Sequence, residues 1–173
     1  MALLFANNNS LSAITTKPSG LSGGIMTLLS TQTASSSATI SFTSGIDSTY
    51  DEYVFKFINI HPATDEAYLT FQGNAAGGSG YNETITSTDF RAYNAEDGSA
   101  TALQYSAAFD QAQGTSFQPI TQEIGNDNDQ CASGTLQIFA PSDTTFVKHF
   151  LSASQYSWAG DYTMRDFTAG YFN

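Results

Sequence analysis

The chain has 173 residues, which is enough for one domain with an additional arm. Hydrophobic residues make up 40% of the chain and aromatic residues 13%, so it can form a core and wholesale disorder is excluded. Five basic residues against 16 acidic ones give a net charge of −11, which excludes a basic nucleic-acid-binding surface and a polybasic membrane patch. A polar surface of Ser, Thr, Asn, Gln and Gly is typical of a turn-rich β protein.

Residues 1–37 differ in composition from the rest and predict an extended N-terminal arm. Small polar residues, Gly and Pro separate two apolar patches, and Lys17 is the only charged residue. We expect these patches to dock onto another surface; the alternatives are a mobile tail or, for the second patch, the start of a strand. The candidate docking residues are Leu3, Leu4, Phe5, Ile25, Leu28 and Leu29.

The start of the chain lacks the pattern of a secretory signal peptide. Asn7, Asn8 and Asn9 interrupt its apolar residues at once, and no basic residue precedes them. The apolar runs are also much shorter than a membrane span requires. We therefore expect synthesis in the cytoplasm of the producing cell, without membrane insertion.

From residue 38 onward, apolar residues alternate with polar ones, a pattern that predicts β-strands. The segments that show it are 39–42, 53–60, 68–72, 84–93, 103–105, 135–139, 146–153 and 162–172. Gly and Pro lie between most of them, and no ten-residue amphipathic helix is recognisable, although 105–113 offers a helical turn. The pattern predicts an antiparallel β-sandwich of jelly-roll type over 38–173.

Two of these segments carry further expectations. Segment 53–60 places Tyr53, Phe55 and Phe57 on one face and apolar residues on the other, which predicts a central strand covered on both sides. The last segment ends at Phe172 without a polar tail, so its sheet edge needs a cover. We expect that cover to be another chain or one or two strands beyond Asn173.

No residue pattern indicates catalysis, a cofactor or a metal ion. Cys131 is the only cysteine, so an intrachain disulfide is excluded, and His61 and His149 match no cysteine-enzyme motif; His149 reads as a core or interface residue. Segment 125–130 alternates carboxylates and amides, as a Ca²⁺ ligand set would, but the spacing is that of an acidic turn. The Gly-rich segment 73–82 lacks the Lys and the following helix of a phosphate-binding loop.

Aromatic residues in turns offer the one candidate for ligand recognition. Tyr81 and Asn82 follow the Gly-rich segment, which is either a flexible connection or a contact loop. Tyr93 and Trp158, together with Tyr81, are side chains that could stack on sugar rings; the alternative is a role as core or rim aromatics.

Four stretches together resemble a known family. They are Phe42–Phe57, Ile60–Asp65, Gly73–Thr84 and Ala140–Phe150. The chain is similar along its whole length to short proteins of marine tailed bacteriophages, cyanophages among them, that are taken to be virion structural proteins. The resemblance implies location in the virion after synthesis in a bacterial host, and a further strand or two after Asn173. It supplies no catalytic motif.

Three hypotheses about function follow. The first is a non-enzymatic virion protein, a capsid decoration protein or a subunit of a fibre or appendage, whose partners are copies of itself and other phage virion proteins. For it we expect a homo-oligomer, a trimer, since the chain has many two-sided apolar strands for its length. The second is a carbohydrate-binding module that recognises host surface glycans. The third is a small hydrolase on a β-sandwich.

Overall fold

A computed structural model describes residues 26–173. The predicted docking residues Leu3, Leu4, Phe5 and Ile25 lie outside the described residues. Contacts divide the chain into two compact units, Met1–Thr33 and Ala34–Asn173. In the described part of the first unit, residues 26–33 form neither helix nor strand, and the side chains of Leu28 and Leu29 are exposed. The alternative that this patch begins a strand is therefore wrong.

The described residues of the second unit form eight strands. They are β1 (Glu52–Ile60), β2 (Thr70–Phe71), β3 (Ile85–Ala95), β4 (Thr101–Tyr105), β5 (Gln118–Pro119), β6 (Ala132–Phe139), β7 (Lys148–Trp158) and β8 (Tyr162–Phe172). Six of them make one antiparallel sheet in the order β1-β6-β7-β8-β3-β4, and β2 pairs with β5 in a small second sheet. The predicted all-β antiparallel fold is confirmed, whereas the jelly-roll arrangement stays a prediction.

Residues 26–173 contain no helix, so none of them forms a helix that could cross a membrane. The helical turn considered for residues 105–113 is a non-helical turn: the backbone N–H of Phe109 bonds to the carbonyl of Ser106, and Gln111 donates to the Ser87 hydroxyl. That connection leads from β4 back over the large sheet.

Strand β1 lies at an edge of the large sheet, which corrects the prediction of a central strand for 53–60. Its inward residues Tyr53 and Phe55 are covered, but Ile58 on the other face is 71% exposed. Near its end, a bulge between Phe57 and Ile60, with Asn59 at a φ of 53°, returns Ile60 to the inward side. A strand with apolar residues on both faces can therefore lie at the edge of a sheet with one of these faces exposed.

The predicted strand at 39–42 is also wrong, because these residues pair with no strand of the described chain. Phe42 instead packs edge-on against Phe55, with ring centroids 5.4 Å apart. A few residues later, Asp47 is fixed by the Tyr53 hydroxyl, which donates to its carbonyl at 3.0 Å. The alternation in 39–42 thus reflects one aromatic contact with β1.

The core lies between one face of the large sheet and the segments that cross it, and we call this face the inner face. Apolar side chains gather in two clusters there. One contains Ile85, Leu136, Phe150 and Phe172, and the other Ile124, Ala132, Tyr156 and Met164. Phe71 of the small sheet stands edge-on to Phe150 at 4.9 Å, so the small sheet covers the first cluster. Two packed antiparallel layers result.

Candidate functional site: the uncovered face of the large sheet

Within the unit Ala34–Asn173, the small sheet and the segments around it leave the opposite, outer face of the large sheet uncovered. Its outward side chains include Phe90, Leu151 and Leu103, which are 44%, 47% and 72% exposed. Register joins them in one row, in which Phe167 of β8 lies opposite both Ala153 of β7 and Phe90 of β3, and Phe90 lies opposite Tyr105 of β4. Leu151 and Leu103 lie two residues along from Ala153 and Tyr105 on the same face. A continuous apolar surface therefore crosses the middle of the sheet.

Between the two apolar clusters, the covered inner face is polar. The inward residues of the central strands there are all buried: Ser87, Asp89, Ser152, Ser154, Asp166 and Thr168. All but Ser87, which lies between two threonines, have at least one apolar outward neighbour along their own strand, for example Leu151 and Ala153 on either side of Ser152. In the middle of this sheet the usual polarity of the two faces is inverted, so the chain hides hydroxyls and carboxyls and presents Phe, Leu and Ala.

Hydrogen bonds compensate most of the buried polar layer. Asp89 accepts a bond from the Thr168 hydroxyl at 2.7 Å and one from the Gln122 amide at 3.3 Å. Asp166 accepts a bond from the Tyr156 hydroxyl at 3.0 Å. These partners satisfy carboxyl groups that would otherwise be very costly to bury.

Asp166 and Ser154 are the exception in this layer. They lie directly opposite each other in β8 and β7, yet the second carboxyl oxygen of Asp166 and the Ser154 hydroxyl have no hydrogen-bond partner. Burial, reinforced by the nearby Asp89, raises the pKa of Asp166 to about 7. Burial likewise raises the pKa of Asp89, and it raises that of Tyr156, with Asp166 adding to the effect.

The buried carboxyls are badly placed for acid–base work on an external substrate. Asp89 and Asp166 are each 1% exposed, and a general acid or base must come within hydrogen-bond distance of the group it serves. Tyr156 and Thr168, their hydroxyl partners, are buried as well. The raised pKa values therefore report the cost of burying charge and bear on stability.

On the outer face, aromatic rings form a compact group. Phe90 and Phe167 stack with centroids 5.0 Å apart and an interplanar angle of 15°. The guanidinium carbon of Arg165 lies 5.0 Å from the centre of the Phe167 ring, in cation–π geometry. Two shallow recesses flank this group, one of about 370 Å³ between Phe139 and Tyr171 and one of about 480 Å³ beside Leu103.

The outer face carries little negative charge, although the chain carries 16 acidic residues. Glu52, at the first position of β1, is the one carboxylate among the outward strand positions of residues 52–172. Lys56 and Arg165 are the cations on the same side. The face is therefore close to neutral on a protein whose net charge is −11.

The structure separates the predicted ligand-contact residues. Tyr81 and Asn82 are exposed, and Tyr81 lies 6.5 Å from Phe117, which is 45% exposed, in the loop before β5. Gly73, from the same Gly-rich segment, packs against Phe172, so this segment lies where β8 ends. Tyr81 and Phe117 thus form a small exposed aromatic pair, which sequence patterns missed because Phe117 is distant in the chain.

Tyr93 and Trp158 lie at the opposite end of β8, where both contact Tyr162. The ring centroids are 5.7 Å apart for Tyr93 and 4.9 Å apart for Trp158. The indole N–H of Trp158 donates to Glu123 at 2.7 Å, and the Tyr68 hydroxyl donates to the other oxygen of Glu123 at 3.2 Å. Trp158 is half-buried and anchored, as expected of a rim aromatic.

The remaining candidates have local roles. His149 is exposed on the outer face beside Tyr171, so it is not a core residue, and its role at an interface stays a prediction. His61 lies 2.7 Å from the carbonyl of Gln130, and Cys131 is half-buried. In segment 125–130, the Gln130 N–H bonds to the Asp127 carbonyl, which makes an acidic turn. Within residues 26–173 no three His, Cys, Asp or Glu side chains gather as metal ligands.

The aromatic residues of β1, β7, β8 and the turn before β7 differ in burial, which separates core residues from candidates for a subunit interface. Phe150 is fully buried and Phe55 packs against its cluster, so both belong to the core of one subunit. Phe57 packs against Gly134 on the inner side. Phe146, in the turn before β7, is 72% exposed, and Tyr171 lies half-buried on the outer face. Phe146 and Tyr171 remain candidates for an interface.

Comparison with known proteins gave no matching family model, no matching curated protein and no matching solved structure.

Proposed function

We propose that this protein is a non-enzymatic structural protein of a bacteriophage virion, a capsid decoration protein or a subunit of a fibre or appendage. It is made in the cytoplasm of a bacterial host and acts in the virion. Its function is to bury surface between copies of itself and against other virion proteins. The resemblance to phage virion proteins supports a location in the virion. The exposed apolar surface of the large sheet supports a function through contact with partner subunits.

The observation that carries the proposal is the inverted polarity of the large sheet. Apolar surface exposed to water is costly, at about 25 cal/mol per Å², and monomeric proteins rarely expose a large contiguous patch of it. Here Phe90, Leu151 and Leu103 lie on such a patch while Asp89 and Asp166 are buried beneath it. A chain with this distribution is a subunit, completed by a partner on the outer face.

Co-sedimentation with purified virus particles tests this function. We expect the protein to sediment with particles and to be present in them at a fixed ratio to the major capsid protein, measured by mass-resolved stoichiometry. A ratio near one identifies a decoration protein, and a ratio far below one identifies a fibre or appendage subunit. Failure to associate with particles, together with absence from purified virions, would contradict the proposal.

A second candidate function is a carbohydrate-binding or receptor-binding module, which the exposed pair Tyr81 and Phe117 favours. Exposed rings on a loop can stack on sugar rings. The loop also contains Gly77 and Gly80 at positive φ, a backbone conformation that favours glycine, so no side chains project from these two positions. The test is binding to a glycan array by wild type and Tyr81→Ala. Tyr50→Ala, which removes a similarly exposed ring elsewhere, is the matched control. If all three proteins bind a glycan equally well, Tyr81 and Phe117 are not its binding site.

A further inference from the structure

We propose that the partner covering the outer face is the outer face of a second copy of this chain, so that the two large sheets pack face to face about a two-fold axis. The inference rests on the proposed function and names the contact through which the subunits pair. Its first support is chemical: midway along β7, β8 and β3 the outer face carries Leu151, Phe167 and Phe90, whereas the inner face carries Ser152, Asp166 and Asp89. Sheets that pack face to face bury such sides against each other at a spacing of about 10 Å.

The charge distribution allows a second copy to be the occupant. Two molecules of net charge −11 repel each other through most of their surfaces. The outer strand positions hold one carboxylate, Glu52, and two cations, Lys56 and Arg165. This face is therefore one on which two copies can meet without burying carboxylates against carboxylates, an arrangement that would be strongly destabilising.

The size of the face agrees with a stable dimer. Six strands at about 4.8 Å spacing and about eight paired residues at about 3.3 Å each span about 29 Å by about 26 Å. That is about 750 Å² per copy, against about 800 Å² per partner in a standard stable interface. The Phe90–Phe167 stack lies near the middle of this area, where an aromatic anchor contributes most.

The outer face also has both projecting side chains and recesses. Leu103 and Ile58, 72% and 71% exposed, project near opposite edges of the face. Recesses of about 370 Å³ and about 480 Å³ lie between the strands, the first lined by Phe139, Leu151 and Tyr171. A two-fold contact presents each projection of one copy to the surface of the other and reciprocates it, as an isologous interface requires.

Sedimentation velocity of the full chain and of charge variants tests the pairing. We expect the wild type to be a dimer at micromolar concentration. Leu103→Glu and Leu151→Glu should each raise the dissociation constant about tenfold or more, since each places two like charges in the contact. The matched control is Tyr50→Glu, which alters a side chain of similar exposure to Leu151 that contacts the inward residue Tyr53, and it should leave the constant unchanged. Circular dichroism and Trp158 fluorescence establish that each variant is folded.

A mixing experiment identifies the occupant as a second copy. Leu151→Glu and Leu151→Lys should each dissociate more readily than the wild type, and an equimolar mixture should form a heterodimer. A wild type that stays monomeric at high micromolar concentration overturns the inference, as does a trimer or a dimer that neither variant weakens. Loss of particle binding in variants of a monomeric protein would assign the face to a shell protein and overturn it too.

The particle experiment separates this inference from the proposed function. A protein that sediments with particles but has no two-fold dimer leaves the virion role standing and removes the face-to-face pairing. A dimer that both outer-face variants dissociate, but that does not associate with particles, leaves the pairing standing and removes the virion role.

Discussion

The Tyr156 hydroxyl donates a hydrogen bond to Asp166 at 3.0 Å in the buried layer beneath the large sheet. The two residues come from neighbouring strands, β7 and β8, and are 2% and 1% exposed. The other oxygen of Asp166 has no partner, and neither does the Ser154 hydroxyl opposite. An incompletely satisfied carboxyl in a buried layer makes the stability of the fold dependent on pH.

Replacing Asp166 with Asn should stabilise the protein at alkaline pH. The folded-state pKa of Asp166 is about 7 against an ordinary value of 3.8, so the folded state binds the proton more tightly. The wild type therefore loses stability as pH rises from about 4 to about 7, by at most about 4 kcal/mol, and Asp166→Asn removes this loss.

Urea unfolding at pH 5 and pH 8 measures the effect. The gain of Asp166→Asn over the wild type should be larger at pH 8, and Asp129→Asn, an exposed carboxylate in the acidic turn, should show no such difference. An Asp166→Asn protein with the same pH slope as the wild type would contradict a raised pKa at this carboxyl.

Removing the Tyr156 hydroxyl should destabilise the fold. Tyr156→Phe leaves Asp166 without its hydrogen-bond donor, at a cost of about 1–3 kcal/mol, and the cost should be greater at pH 8, where the carboxyl is charged. Unfolding free energies of Tyr156→Phe and of the exposed Tyr81→Phe give the comparison. If Tyr156→Phe costs as much in an Asp166→Ala background, which has no acceptor, as in the wild type, the hydroxyl acts through packing and not through this bond.

Strand positions could be predicted from alternation, but the identity of the buried side could not. The prediction for 162–172 coincides with β8, and 84–93 lies within one residue or two of β3. In both strands the alternation is strong, but period two says only that the faces differ. Phe90 and Phe167 point outward, whereas Asp89 and Asp166 point inward. The usual rule that the apolar face of a strand is the buried one therefore predicts the wrong face here.

The candidate sites could be predicted only in part, because their contacts join residues that are distant in the chain. Tyr81 was recognised from its Gly-rich loop, but its neighbour Phe117 comes from the loop before β5. Glu123 gave no signal at all, since an isolated acidic residue in a polar stretch is usually solvated. Its role arises only when β7 brings Trp158 to it.

Glu123 should hold Trp158 in place, and replacing it with Gln should loosen the indole. Glu123 accepts bonds from both Trp158 and Tyr68, and Gln keeps only one acceptor oxygen in the side chain. We expect a loss of about 1 kcal/mol in the unfolding free energy and more iodide quenching of the fluorescence of Trp158, the only tryptophan. Glu96→Gln, an exposed change, is the control. Unchanged quenching in Glu123→Gln would contradict this role.

Lys148 should matter more for attachment than for folding. It is the half-buried first residue of β7, close to Asp143. The backbone N–H groups of Phe146 and Thr145 lower the pKa of Asp143, and Lys148 adds a smaller effect in the same direction. The charge interaction with this solvent-exposed carboxylate is minor, so Lys148→Met should shift the melting temperature by no more than about 4 °C.

The same change removes one of the five basic residues on an acidic protein, so binding of Lys148→Met to virus particles should fall. Thermal melting and particle co-sedimentation are measured side by side, with Thr144→Val in the same turn as control. A large drop in melting temperature with undiminished particle binding of the folded fraction would show that Lys148 serves the core of a single subunit, since its stem would then be contributing packing that the Met side chain cannot replace.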